Sequence, residues 1–195
     1  LWAQGIAQSL EHYDKSIKDL PADLRVHCKQ ADLSLTHISQ TDINRLWTAA
    51  ARLSKDDCFG LRMGQQHNCN TLSLLCLAAA SSETLGDAIQ RIIRFMPVFS
   101  SQVQLYSVED DQYLTLYFQP KGAPHPMHME ALMSQCNRIW EALGIGKASL
   151  MLETRLTSEH DKSRSLCEAI LGGTVRLGSK RQSVRIHRRL LSSRL

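Results

Sequence analysis

The stretch Ser82 to Gln119, SETLGDAIQRIIRFMPVFSSQVQLYSVEDDQYLTLYFQ, constrains this chain more than any other. It reads as one amphipathic helix that runs directly into a β-hairpin. Leu85, Ala88, Ile89, Ile92, Ile93 and Met96 recur at helical spacing and make one apolar stripe. Thr84 and Asp87 fit a capping box at its start, and Pro97 marks its expected stop. Two alternating runs follow, Gln102 to Val108 and Tyr113 to Gln119, joined by the acidic turn Glu109-Asp110-Asp111. A striped helix and a half-apolar hairpin each need an apolar partner, so the chain must build a mixed helix-and-sheet core.

The remaining sequence supplies those partners. Before Ser82 the pattern is helical. Trp2, Ile6, Leu10 and Tyr13 share a face, and Leu20-Pro21-Ala22-Asp23 starts a short helix. Ser39 and Asp42 cap a helix whose inner face is Ile43, Leu46, Trp47, Ala50 and Leu53. Leu61-Arg62-Met63-Gly64 ends a short helical turn, and Asn70 to Ala80 is a further helical run. After the hairpin, Lys121 to Pro126 is a loop. Pro126 then opens a long helix with Met129, Leu132, Met133, Cys136, Ile139, Trp140 and Leu143 on one face, stopped at Gly144. Ala148 to Leu156 alternates as a strand, with Ala148, Leu150, Leu152 and Leu156 on one side and Ser149, Glu153 and Arg155 on the other. Ser158 and Asp161 fit a cap for a helix to Leu171, closed by Gly172-Gly173. Val175 to Leu177 and Val184 to Ile186 read as a last pair of short strands. The expected class is α+β: a helical N-terminal half, then about five short, mostly antiparallel strands with helices packed against the sheet, in a single domain over 1–195.

Composition narrows the function classes. At 43% apolar and 22% charged residues, the chain suits a soluble globule, and its apolar runs are too short to span a bilayer. It opens on Leu1 without a signal-peptide pattern and reads as a trimmed chain. Cys28, Cys58, Cys69, Cys76, Cys136 and Cys167 form no C-x-x-C pair, which points to reduced core thiols in the cytoplasm. His125 and His128 are the only close histidines, and no further ligands accompany them, so no metal is expected. The sequence has no nucleophile elbow, P-loop or dinucleotide fingerprint, and no catalytic residue or cofactor is assigned. The net charge of +4 gathers in Lys180, Arg181, Arg185, Arg188, Arg189 and Arg194, which suits a solvated face as well as a surface near DNA.

The hairpin offers the best candidate binding surface. Val103 and Leu105 share one face with Leu114, Leu116 and Phe118 across the turn; Gln104, Tyr106, Tyr113, Thr115, Tyr117 and Gln119 share the other. One face is aliphatic and one aromatic-polar. The simple arrangement is core inside and amphipathic residues outside. A binding arrangement sets Tyr106, Tyr117 and Gln119 against Met129, Met133, Cys136 and Trp140 of the Pro126 helix, as polar groups on an adaptable wall. Arg94 and Arg138 lie near apolar helix faces, where each can hold a carboxylate or reach into water.

The order of the blocks carries a family resemblance. TLGDAIQRIIRFMPVFSSQVQL followed by YLTLYF resembles the sensor domain that precedes the DNA-binding domain in one branch of the AraC/XylS transcription regulators. LWAQGIAQSLEHY is similar to the family's opening helix. ISQTDINRLWTAAARLSKDDCFGLRMGQ is similar to its second block, and LCEAILGGTVRLGSKRQSVRIHRRLLSSRL to its closing one. The resemblance spans nearly the whole chain. It is to the non-cupin branch, since the chain is too helical for a jelly roll. It implies a bacterial cytoplasmic domain that binds a small-molecule effector and controls a C-terminal helix-turn-helix domain. DNA is then a partner only through that domain, and a homodimer is allowed. The alternatives are a ligand-free dimerisation module, which exposed apolar helix stripes would favour, and a small cytosolic enzyme, which would need titratable groups converging in a cleft.

Overall fold

The helix that begins at Pro126 is buried on every side, and the rest of the chain is arranged around it. The computed structural model describes residues 2–29, 38–66, 73–143, 151–158 and 164–195. In chain order the main elements are α1 (Trp2–Glu11), α2 (Arg25–Lys29), α3 (Gln40–Ser54), α4 (Phe59–Gln66), α5 (Ser73–Ala80) and α6 (Leu85–Phe99). The hairpin β1 (Val103–Glu109) and β2 (Tyr113–Pro120) follows, then α7 (Pro126–Ala142), β3 (Met151–Arg155), α8 (Arg164–Leu171), β4 (Thr174–Arg176) and β5 (Gln182–His187). The sheet order is β1-β2-β5-β3-β4, antiparallel throughout except between β3 and β4. The class is α+β, as the sequence indicates.

Local signals act where they were read. The Thr84 hydroxyl accepts from the Asp87 amide and donates to its carboxylate, and Ser39 does the same with Asp42. In the hairpin turn, the Asp110 carboxylate accepts from the amides of Gln112 and Tyr113 at 2.9 and 2.7 Å. Four readings need correction. Pro97 does not stop α6. It has no N–H to offer the Ile93 carbonyl, but the chain completes one more turn, closed by the Ser100 amide on the Met96 carbonyl at 3.0 Å. The last two strands do not pair with each other. β5 has buried side chains facing both ways, so it takes a central place, and β3 lies between it and β4. In β3 a register shift between Met151 and Glu153 leaves Leu152 exposed and gives the inner face to Thr154. Ala148 to Leu150 lie outside the described residues, as do Asn70 to Leu72 and Asp161. Ser158, expected as a helix cap, instead donates to the Glu130 carboxylate at 2.5 Å.

Two cores meet at α7. The helical core joins Ile6, Leu10, Leu24, Leu46, Trp47 and Phe59 to Met127 and Ala131 of α7. The sheet core joins the α6 stripe and the inner sheet face to Met129, Leu132, Met133, Cys136, Ile139 and Trp140 of the same helix. Trp47 and Trp140 are both fully buried. Burial all round forces α7 to bury polar side chains, and some of their atoms find partners. Trp47 Nε1 donates to His128 Nδ1 at 3.4 Å, and Asn137 Nδ2 donates to the Ile170 and Leu171 carbonyls at the end of α8. Gly60 and Gly64 of α4 set the distance to α7. A Cβ at Gly60 would collide with the Met127 backbone, and one at Gly64 with the Ala131 carbonyl and Ser134 Cβ.

Those contacts generate two expectations. Gly64→Ala should destabilise the chain by about 1–3 kcal/mol, the usual range for overpacking, despite alanine's better helix propensity. A raised denaturant midpoint would show that α7 has room to move away. The second expectation concerns acid. Burial, with a smaller contribution from His125, pushes the His128 imidazole down from its ordinary 6.5 to about 4. Below pH 6.5 the unfolded chain therefore binds more protons than the folded one. Stability is complete above about that pH and falls as pH drops towards 4, by about 3 kcal/mol from this group. His128→Gln keeps an acceptor for Trp47 and should flatten that part of the stability–pH curve. An unchanged slope between pH 6.5 and 4 would move the effect to another group.

Candidate functional site

A cleft opens where the far end of β2 meets the start of α7. It has a volume of about 370 Å³. Phe118, Pro120, Pro124, Pro126 and Met129 supply its apolar lining, and Gln119, Thr157, Lys180, Arg181 and Gln182 its polar part. One side is closed by the 121–125 loop, which α3 holds in place. Asn44 donates to the Ala123 carbonyl at 2.8 Å and accepts from the His125 amide at 2.9 Å. Gly122 sits at φ +74° with the Gln40 amide packed where a side chain would go. His125 then caps α7, its Nδ1 accepting from the Met127 amide at 3.2 Å.

The other side is the turn between β4 and β5. The Ser179 amide donates to the Leu156 carbonyl at 2.8 Å and the Gly178 amide to the Ser158 carbonyl at 3.0 Å, which fixes this turn over the exit of β3. Lys180 and Arg181 project from it at the rim, and Thr157 lies beside them. Gln182 follows as the first residue of β5, opposite Phe118. Gln182 is buried, and its Nε2 has no hydrogen-bond partner. An unpaired buried donor costs about 1–3 kcal/mol, and an acceptor in the cleft would meet this one if the Gln182 side chain turned outward.

The eight residues marked in the sequence are not brought together. Gln119 and Met129 line the cleft. Met133, Cys136 and Trp140 are sealed in the sheet core, where burial pushes the Cys136 thiol up to about 12. Tyr106 and Tyr117 stack on each other with centroids 5.0 Å apart, on the face of the sheet that points away from α7. Arg94 is exposed on α6, 6.0 Å from the Phe95 ring. The expected wall of tyrosines against methionines is therefore not formed. The aliphatic face of the hairpin takes the core side, and the aromatic-polar face is left outward. Gln182, Lys180 and Arg181 were not marked as site residues; only the basic, turn-like run Ser179 to Gln182 signalled them. Among the described residues no group of His, Cys, Asp or Glu side chains gathers as a metal site, and no helix is long and apolar enough to cross a membrane.

The family model for the N-terminal arabinose-binding domain of AraC transcription regulators matches residues 24–195. The chain belongs to this family. It is 28% identical over 136 residues to the ornithine utilization regulator of Pseudomonas aeruginosa, a match covering 68% of this chain and 40% of that protein. The chain thus spans less than half of that relative's length. Among solved structures, the transcriptional regulator CdpR from Pseudomonas aeruginosa superposes with a TM-score of 0.65 at 16% identity, over 98% of this chain and 56% of that one. A Cs H-NOX protein superposes with a TM-score of 0.55 at 11% identity, over 97% and 96% of the two chains. At such identities both structural likenesses speak to the fold alone.

Proposed function

We propose that this chain is the effector-sensing domain of an AraC-type regulator, and that its effector is a small carboxylate with an apolar body held in the cleft at the start of α7. The observation that supports this is the lining. The buried Gln182 amide lacks an acceptor, Lys180 and Arg181 are cations at the rim, and Phe118, Met129 and three prolines supply the rest. A carboxylate would meet the rim charges, and the Gln182 amide once its side chain turns outward, while its apolar part would displace water from the floor. Ornithine, named in the relative, carries a carboxylate, but this floor offers no anion for its side-chain ammonium. The effector would act by favouring one arrangement of this domain and an attached DNA-binding domain over another, in the cytoplasm.

The test is calorimetric titration with a series of straight-chain carboxylates of increasing length. Affinity should rise with chain length and then level off as the cleft fills. Gln182→Leu and Arg181→Ala should each weaken binding about tenfold, the equivalent of one charge-assisted hydrogen bond. If no carboxylate binds, or if neither substitution matters, the cleft is not the effector site.

One observation favours a second reading, a self-association module. Leu77 of α5 and Phe95 and Val98 of α6 are exposed, Val98 by 72%. Sedimentation would show a dimer that Val98→Glu dissociates. A chain that stays monomeric at high concentration would dismiss that reading.

A further inference from the structure

The outward face of the sheet carries a second cavity, at the same end as the cleft but on the opposite side of β5. It has a volume of about 390 Å³ and is lined by Tyr117, Arg155, Arg176, Ser179, Lys180, Arg181 and Ser183. Strand register places most of these in one row. Tyr117 on β2 faces Ser183 on β5, Ser183 faces Arg155 on β3, and Arg155 faces Arg176 on β4. The turn before β5 adds Lys180 and Arg181 from one edge.

The charges in this row are unbalanced. Two arginines directly opposite each other on neighbouring strands repel, and such a pair is normally destabilising. Among the described residues, one carboxylate, that of Glu153, lies between them. Glu153 accepts from Arg155 Nε at 2.6 Å through one oxygen and from Arg176 Nε through the other. Burial pushes the Glu153 carboxyl up, but the hydrogen bonds and charges of Arg155 and Arg176 outweigh it and hold the group below its ordinary value. The carboxylate is thus an anchor that fixes two guanidinium groups side by side. Both are held through Nε, so an incoming anion would be met by their terminal N–H groups. Among the described residues, Arg155, Arg176, Lys180 and Arg181 set against this carboxylate leave three positive charges at the cavity.

The donors are also held in place before any ligand arrives. Stacking on Tyr106 fixes the Tyr117 ring, Ser183 forms a buried floor, and backbone hydrogen bonds from Gly178 and Ser179 pin the turn. A monoanion with two oxygens would leave most of these donors and two charges unused. A dianion with three terminal oxygens matches them, and paired guanidinium forks suit its geometry.

We propose that this cavity is a binding site for the phosphate group of a small phosphorylated molecule, distinct from the cleft at the start of α7. A concave site with hydroxyl donors at its base favours a compact phosphate over a nucleic-acid backbone, which follows raised basic ridges. Lys180 and Arg181 line both cavities, so occupancy of one changes the charge felt at the other. By linkage the effect is mutual.

The experiment titrates the chain, at low ionic strength, with pyrophosphate and separately with a short duplex DNA. Saturable one-to-one binding of pyrophosphate is expected. Arg176→Gln should weaken it about tenfold, and because Arg176 is 65% exposed the fold should be unaffected. Tyr117→Phe, which keeps the stacked ring, should weaken it by a smaller factor. Neither substitution touches the cleft floor, so carboxylate binding should survive Arg176→Gln, and this separates failure of the phosphate site from failure of the effector reading. Pyrophosphate that does not saturate, or that binds both variants as tightly as the parent, overturns the proposal. So does duplex DNA that binds more tightly than pyrophosphate and loses affinity steeply with salt, since that would make the face a nucleic-acid contact.

Discussion

The contact between α4 and α7 fixes the rest of this structure. Two glycines one helical turn apart let the α7 backbone approach until its carbonyls lie against the α4 surface. That approach closes the helical core over Met127 and Ala131 while the opposite side of α7 closes the sheet core. A larger spacing would leave a gap on one side that neither core could fill, and empty volume in a close-packed interior is costly. The cost of this design is polar. A helix covered on every side cannot turn His128, Glu130 or Asn137 to water, so each must be met by a neighbour. Trp47, Ser158 and the end of α8 do this, and in doing so tie both halves of the chain to one element.

The same constraint positions the two cavities. The start of α7 cannot shift, because α3 grips the preceding loop through Asn44 and α4 grips the first turn through Gly60. The end of the hairpin and the β4–β5 turn therefore face a fixed helix terminus, and the cleft is the space left between them. The outward cavity arises from the same turn on the other side of β5. Alternation along a strand sends Gln182 to one side and Ser183 to the other, so successive residues serve opposite faces. A ligand on either side would meet a turn held by backbone hydrogen bonds rather than a flexible loop.

What the sequence made legible was local. The caps at Ser39 and Thr84, the Asp110 turn and the two faces of the hairpin depend on residues within a few positions of one another, and all form as read. Trp47 and Trp140 were legible as anchors because each sits in an apolar stripe that admits one inward direction. The partners of those faces were not legible. Alternation shows that Tyr106 and Tyr117 share a side, but not that α7 covers the other one. The sequence pattern of α7 marks one apolar face, and the covering of its other side depends on the glycines of α4, more than sixty residues earlier in the chain. The central place of β5 depended likewise on β3, whose register shift has no sequence signature.

Buried polar atoms without partners carry different meanings in this fold, and position decides between them. His128 Nε2 has none, yet its ring is enclosed by Trp2 and Trp47, with centroids 4.3 and 6.1 Å away. Nothing could reach that atom without opening the helical core. Its unmet donor is a cost of the close-packed helix, compensated by the aromatic contacts around it. Gln182 Nε2 is equally unmet, but its residue lies at the wall of a cleft bounded by exposed cations. Were that side chain to turn outward, an acceptor in the cleft could recover the cost, an exchange that the enclosed His128 ring does not permit.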